Sequence, residues 1–252
     1  MKILLLIPRQ YSIANGFQNI MDHLNISCQN LDYHDIINSK VERVNTQMFR
    51  FPDRIRRKWE SYYFKKINVW YKDQIRKENP NALVIYNNQM LLPQTLEWIK
   101  KRKIRIAFYL GDNPFYTPTN RYSLALLQYA DNVYVPDTFW LYQLKKLGIN
   151  GLHHLLLPLP SDIYYHVPKN KLSRLDDCNN FDLLYVGTGY KTSWGYKKAM
   201  FLNYFTHFNI KIYGNHDLER WFRFFPDLRE KYVRKDRFIS VEQLNIMYNI
   251  AK

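Results

Sequence analysis

The chain has 252 residues, 46% of them hydrophobic and 23% charged, an ordinary globular balance that allows one large domain or two small ones. Its two cysteines, Cys28 and Cys178, lie far apart without metal-type spacing, which argues against a disulfide scaffold and against a structural zinc site. A net charge of +15 points to anionic partners, namely nucleic acid, acidic lipid or phosphate-bearing substrates.

The positive charge is concentrated. Residues 50–77 carry ten Lys/Arg against three Asp/Glu, almost half of the excess. Aromatic residues make up 17% of the chain, with 21 Tyr and 15 Phe, which suits thick cores, sticky surfaces or sugar-stacking platforms alike. No stretch approaches the roughly 18 apolar residues of a membrane span. The apolar opening run, Ile3 to Ile7, is too short for a signal peptide and reads as a buried first strand. A cytoplasmic location is the resulting expectation.

In chain order, the strand at 2–7 is followed by a loop ending at Gly16 and a helix over 16–24. A second strand is expected at 26–32. Residues 53–77 place Ile55, Trp59, Tyr63, Ile67, Tyr71 and Ile75 at steps of four, which predicts a helix. Next come a strand over 82–86, a helix over 92–102 and a strand over 104–110. The loop 111–120 leads to a helix over 121–130 and a strand over 132–135. Asp137 is the expected N-cap of a helix closed by Gly148. A strand follows over 152–157.

This alternation predicts right-handed crossovers and a parallel sheet over residues 1–166. Residues 167–180 are polar and read as a linker. Alternation restarts with a strand over 181–187, a helix over 196–208, a strand over 210–214 and a helix over 241–252. The segment 221–238 reads as irregular and partly helical. The expected fold class is therefore α/β with two Rossmann-like domains, 1–166 and 181–252. The second has only about 72 residues and is incomplete against a usual doubly wound unit.

Candidate sites fall at the carboxyl ends of strands, where open α/β sheets bind ligands. After the first strand, Asn15 and Gly16 let a backbone approach a ligand at a helix start, or simply form a loop-to-helix turn. No GxGxxG occurs, which disfavours a dinucleotide site. In Gly111–Pro118, Asp112 is a candidate base or acceptor-orienting group, Asn113 sits beside it and Tyr116 is able to stack on a sugar. The plainer reading is an Asn-Pro turn with a helix cap. Around Gly187, Thr188 and Lys191, a glycine-containing turn before a helix presents main-chain N–H groups suited to a diphosphate, or is an ordinary connection. Tyr213, Gly214 and Tyr248 are weaker candidates on the same side, and His216 reads as a solvated loop histidine. His153 and His154 point to opposite faces of one strand, with one of them packed. No HExxH, paired DxD or Cys/His cluster occurs, so no metal is expected. The basic helix from Arg54 to Lys77 reads as a solvated charged face, as a surface for anionic membrane, or as a nucleic-acid surface; the last is disfavoured.

Several segments, taken in order, resemble the CgeB/YkvP-like glycosyltransferases, the spore-protein branch of the GT-B superfamily. They are ENPNALVIYNN, IRIAFYLGDNP, YVPDTFWLYQLKKLGINGLHHLLLPLPSDIYYHVP, FDLLYVGT, IKIYGN and EQLNIMYNIAK. Asn81 stands where the family usually has Asp. The resemblance implies a GT-B arrangement of two domains. It implies transfer of a sugar from a nucleotide-sugar co-substrate to a glycan, protein or lipid acceptor in an interdomain cleft, without metal or other cofactor. It assigns the donor diphosphate to Gly187, Thr188 and Lys191, with Tyr213, Gly214 and Tyr248 nearby. Asn15, Gly16, Asn113 and Tyr116 then fall on the acceptor side, with Asp112 as the acid/base. In the family Tyr-Asn-x-x-Lys is followed by about another third of a domain. The expectation is thus a donor site incomplete in this chain, which leaves open a pseudoenzyme needing a partner chain or a non-catalytic basic binding protein.

Overall fold

A computed structural model describes residues 1–9, 11–115, 121–156, 164–168, 181–234 and 240–251. The chain divides into two compact units, Met1–Pro160 and Ser161–Lys252.

The first unit is built on a six-stranded parallel sheet in the order β2-β1-β3-β4-β5-β6. The strands are β1 (Lys2–Leu6), β2 (Ser27–Asn30), β3 (Ala82–Tyr86), β4 (Arg105–Tyr109), β5 (Asn132–Val135) and β6 (Leu152–His154). Between them run α1 (Ser12–His23), α2 (Ser39–Gln47), α3 (Asp53–Glu78), α4 (Pro93–Lys100), α5 (Ser123–Leu126) and α6 (Thr138–Lys146). Side chains alternate across a strand, so β1 feeds two cores. Leu4 and Leu6 pack with α3, α4 and α6 on one face, and Ile3, Leu5 and Ile7 pack with Ile13 and Ala14 of α1 on the other. After β2 the chain crosses to the far side of β1, so the winding direction reverses between β1 and β3. That pair is the topological switch point, outside whose carboxyl ends such sheets bind ligands.

Helix α3 carries the largest share of the first core. Asp53 sits in its first turn and Arg76 and Lys77 in its last, matching the helix dipole, and Asn79 closes it in the left-handed conformation at φ 44°. Its buried residues are Glu60, Tyr63, Phe64, Ile67, Asn68, Tyr71 and Ile75. The expected stripe is corrected at its start, since Ile55 is exposed. A step of four overshoots a 3.6-residue turn by about 40°, so five steps turn Ile55 roughly 200° away from Ile75. Glu60 is buried with its charge met by Arg56 at 2.6 Å and Arg121 at 2.8 Å. Asn68 bonds the Phe64 and Met90 carbonyls and the Leu92 amide, fixing the segment after β3 to the helix.

The second unit has a three-stranded parallel sheet, β7 (Leu183–Val186), β8 (Ile210–Gly214) and β9 (Tyr232–Arg234), in that order. Its helices are α7 (Ser193–Asn203), α8 (Leu228–Lys231) and α9 (Val241–Ile250). Ala199, Leu202, Ile212, Leu218 and Leu228 form its core. Residues 164–166, expected in the first domain, instead bond to α9. Asn245 Oδ1 accepts from the Tyr165 amide at 3.1 Å, and Asn249 accepts from Val167 at 2.9 Å and donates to the Tyr165 carbonyl at 3.0 Å. Residues 169–180 of the expected linker lie outside the described residues. No described helix is long and apolar enough to cross a membrane.

Candidate active site

A cavity of about 160 Å³ opens at the switch point. Pro8 after β1, Tyr86 to Met90 at the end of β3, and Asp112 after β4 form its walls, with Tyr11 and Tyr33. The backbone after β3 is unusual. Asn87, Gln89 and Met90 all have positive φ, at 56°, 42° and 56°. Such conformations cost free energy for residues other than glycine and gather at sites where side chains must be aimed.

Their side chains give that conformation a use. Asn87 Oδ1 accepts from the amides of Gly111 at 2.9 Å and Asp112 at 3.2 Å, while its Nδ2 donates to Asp112 Oδ2 at 2.8 Å. Asp112 is thereby fixed on the cavity wall with a second carboxylate oxygen to offer. Gln89 is 6% exposed and donates Nε2 to the Tyr86 carbonyl at 2.7 Å. That carbonyl needs a donor, so the amide orientation is set, and Oε1 is buried with no partner among the described residues. A buried unpaired carbonyl costs about 1–3 kcal/mol, which a ligand hydroxyl reaching it would recover. Gly111 lies under the Tyr86 ring; a Cβ there would stand 2.6 Å from Tyr86 Cζ.

The opposite wall is held by charge. Asp32 accepts from the Arg9 amide at 2.8 Å and the His34 amide at 3.0 Å, tying the loop that carries Pro8 to the loop that carries Tyr33. His34 bridges Asp32 at 2.5 Å and Glu42 at 2.9 Å. Burial opposes its proton, but bonds and charge from Asp32 and Glu42 prevail and raise its pKa. Burial likewise opposes the Asp32 carboxylate, yet the Arg9 and His34 amides and the His34 ring hold its pKa below the ordinary value. Burial, then the charge of Asp112, pushes the Tyr86 phenol up to about 12, so it stays neutral.

The sequence-predicted residues separate here. Asp112 lines the cavity. Asn113 is beside it, but its Oδ1 accepts from the Phe115 amide at 2.9 Å and makes a local turn. Tyr116 lies outside the described residues. The helix expected to open at Gly16 starts at Ser12, so Gly16 is inside α1 rather than at its tip, and Asn15 is exposed on that helix. Asn87, Gln89, Tyr11 and Tyr33 were not anticipated as site residues; the Asn87-Asn88 pair at a strand end was the available signal. Both His153 and His154 are exposed on β6, and of the two rings that of His153 stacks on Tyr134 at 5.1 Å. His153 bonds Asn132 Oδ1 at 3.0 Å and His154 the Pro136 carbonyl at 3.2 Å.

In the second unit the turn after β7 is more occupied than expected. The Gly187 amide donates to the Tyr213 carbonyl at 3.0 Å, extending the ladder, and the Gly189 amide donates to Asn215 Oδ1 at 2.6 Å. Neither glycine offers its N–H to an anion. Gly189 is buried, and a Cβ there would meet Asn215 Oδ1 at 2.9 Å and the Leu218 amide. What the turn leaves exposed is Thr188 and the run Tyr190 to Trp194, ahead of α7. Lys191 reaches Asp217 only at 3.7 Å. Lys198 lies over the Tyr190 ring at 4.7 Å and donates to the Thr188 carbonyl at 3.0 Å. Tyr213 is buried, Gly214 accepts from the Tyr232 hydroxyl at 3.1 Å, and half-exposed Tyr248 packs against Tyr164. Among the described residues no group of three or more His, Cys, Asp or Glu is placed to hold a metal ion.

Each of the two units is a parallel α/β fold of the Rossmann-like kind. The UDP-GlcNAc 2-epimerase of Methanocaldococcus jannaschii, in complex with UDP-GlcNAc and UDP, is similar at TM-score 0.56 and 12% identity, over 97% of this chain and 75% of that one. Anabaena HepE in complex with UDP-glucose is similar at 0.52 and 10% identity, over 97% and 71%. Sucrose-phosphate synthase of Thermosynechococcus elongatus is similar at 0.55 and 10% identity, over 75% of this chain; the chain spans 53% of that protein. These likenesses are of fold. No family model matches the sequence, and no curated protein matches it.

Proposed function

We propose that this chain uses a nucleotide sugar, of the uridine diphosphate class, and transfers its sugar to a hydroxyl-bearing acceptor. The observation that carries this reading is Asp112, clamped by Asn87 on the wall of the switch-point cavity. The acceptor hydroxyl enters beside Asp112, which takes its proton as the oxygen bonds to the anomeric carbon. The bond from that carbon to the diphosphate breaks, and the nucleoside diphosphate leaves. In the second unit, taken by itself, Lys191, the Thr188 hydroxyl and the start of α7 are the groups suited to a diphosphate. The choice of donor class follows the UDP-sugars named with two of the similar structures. The finer placement, beside the CgeB-like transferases, rests on the sequence segments alone.

Calorimetric titration with a panel of nucleotides and nucleotide sugars, followed by mass spectrometry of mixtures with candidate acceptors, tests it. Heat from a UDP-sugar and an acceptor heavier by one glycosyl unit are expected. A second reading, epimerisation of the donor sugar, is favoured by the similarity to the 2-epimerase. It predicts conversion with no acceptor present. Silence across the panel would remove both.

A further inference from the structure

The face of α3 turned away from the sheet is not an ordinary solvated charged surface. Ile55, Tyr62 and Val69 are 50%, 62% and 51% exposed. They recur every seven residues, and in a 3.6-residue helix each such step slips by about 20°, so the three share an arc of roughly 40°. That arc lies opposite the buried Tyr63, Ile67 and Tyr71. Exposed Phe51 precedes the helix. Arg54, Lys58 and Lys65 border the ridge on one side and Lys66 on the other, all exposed.

These cations are not neutralised internally. The four acidic residues of α3 are engaged elsewhere: Asp53 by Arg57 and Arg121, Glu60 by Arg56 and Arg121, Asp73 by Arg76, and Glu78 by Lys2. Lys72 and Arg76 also lie over the Trp98 ring. Arg54, Lys58, Lys65 and Lys66 form no ion pair among the described residues. The result is an apolar ridge with free positive borders over about 21 Å of the helix, from Ile55 to Val69.

We propose that this face of α3 docks on an anionic lipid bilayer, with the helix lying in the interface plane. Charge complementarity requires an anionic occupant. A nucleic-acid backbone would meet the lysines but offers Ile55 and Val69 no apolar medium. A bilayer interface supplies both in one plane along the ridge: headgroup phosphates for the borders and acyl chains for the apolar residues. Tyr62, apolar in its ring and polar at its tip, suits the boundary between them.

Cosedimentation of the full chain with vesicles of phosphatidylcholine, with and without phosphatidylglycerol, tests the docking. A chain of charge +15 is drawn to any anionic surface, so matched charge changes are compared. Lys58→Glu with Lys65→Glu is expected to weaken binding to the anionic vesicles at least ~10-fold, against less than ~3-fold for Lys145→Glu with Lys146→Glu on α6. Tyr62→Ser with Val69→Ser leaves the charge unchanged and is expected to weaken binding severalfold without lowering the unfolding temperature, because both side chains are exposed. Equal losses from the two lysine pairs, indifference to the Tyr62 and Val69 changes, or absence of vesicle binding would each overturn the proposal. So would preferential retention on nucleic acid in parallel assays. Nucleotide-sugar binding by the Lys58/Lys65 variant is expected to match that of the unaltered chain, so the docking stands or falls separately from the transfer reading.

Discussion

Asn87 holds Asp112 from two sides, donating to its carboxylate at 2.8 Å and accepting from its amide at 3.2 Å. Asparagine suits this place because it tolerates the left-handed backbone at φ 56° and carries both a donor and an acceptor. It is a positioning residue. Asn87→Ala is expected to lower kcat about 10–100-fold while leaving donor affinity by calorimetry unchanged. Asn87→Asp should not rescue it. A second carboxylate has no N–H to donate to Asp112 Oδ2, so the clamp is lost. Turnover of Asn87→Asp equal to that of the unaltered chain would mean that the clamp does not position Asp112.

Asp112 itself is the proton acceptor in the proposed transfer. Asp112→Asn keeps the shape and loses the basicity, so turnover should fall about 10²–10⁴-fold with donor binding retained. Steady-state kinetics with a responsive acceptor, beside calorimetry with the donor alone, separates the two effects. Turnover within twofold of the unaltered chain, a difference of only about 0.4 kcal/mol, would remove Asp112 from the chemistry.

Much of the frame is legible in the sequence, and the reasons are local. The strand from Ala82 to Tyr86 and the one from Asn132 to Val135 appear with the expected limits, because each is a short apolar run bounded by turn residues. Asp137 caps α6 as expected, accepting from Phe139 and Trp140 amides. Helix α2 was not anticipated: it has no buried residue, so no apolar periodicity marks it. Strand β9 was missed because its three residues sit in a run of aromatic and charged residues with no alternation. The site was half legible. Asp112 follows from the rule that ligands gather at strand ends, but Asn87 and Gln89 depend on positive φ, and Asn87 also on contacts 24 or 25 residues away. The engagement of the Gly187 amide is not legible for the same reason, since its partner is the Tyr213 carbonyl on the next strand.

The pairing of His34 with Asp32 and Glu42 makes a pH-dependent contribution to stability. His34 binds its proton more tightly when folded, so its contribution is complete below its ordinary pKa of 6.5 and is lost as the pH rises through the raised folded value. Asp32 is held below 3.8, so its contribution is present above that value and lost as the pH falls through the lowered one. Both act together between about pH 4 and 6.5. His34→Gln should therefore destabilise by about 1–2 kcal/mol near pH 6, and by clearly less near pH 9. Urea unfolding of both proteins at the two pH values measures the gap. A gap that does not shrink would mean the bridge is held by neutral hydrogen bonds.

In the second unit, packing and binding are carried by neighbouring residues and can be told apart. Gly189 is buried where a Cβ would strike the Leu218 amide and Asn215, so Gly189→Ala must displace the start of the 3₁₀ segment His216–Trp221. A forced shift of this kind costs about 1–3 kcal/mol, visible as a lower unfolding temperature. Lys191 is exposed and its contact with Asp217 is long, so Lys191→Ala should leave the unfolding temperature unchanged. If its ammonium instead meets the donor diphosphate, the same change should weaken UDP-sugar binding about 10-fold, and the loss should shrink at high salt. Thr188→Val should add a smaller loss by removing one hydroxyl donor. Unaltered UDP-sugar affinity in Lys191→Ala would leave the turn a packed connection between β7 and α7, held by its glycines for the sake of β8, and the diphosphate would have to be bound by other residues.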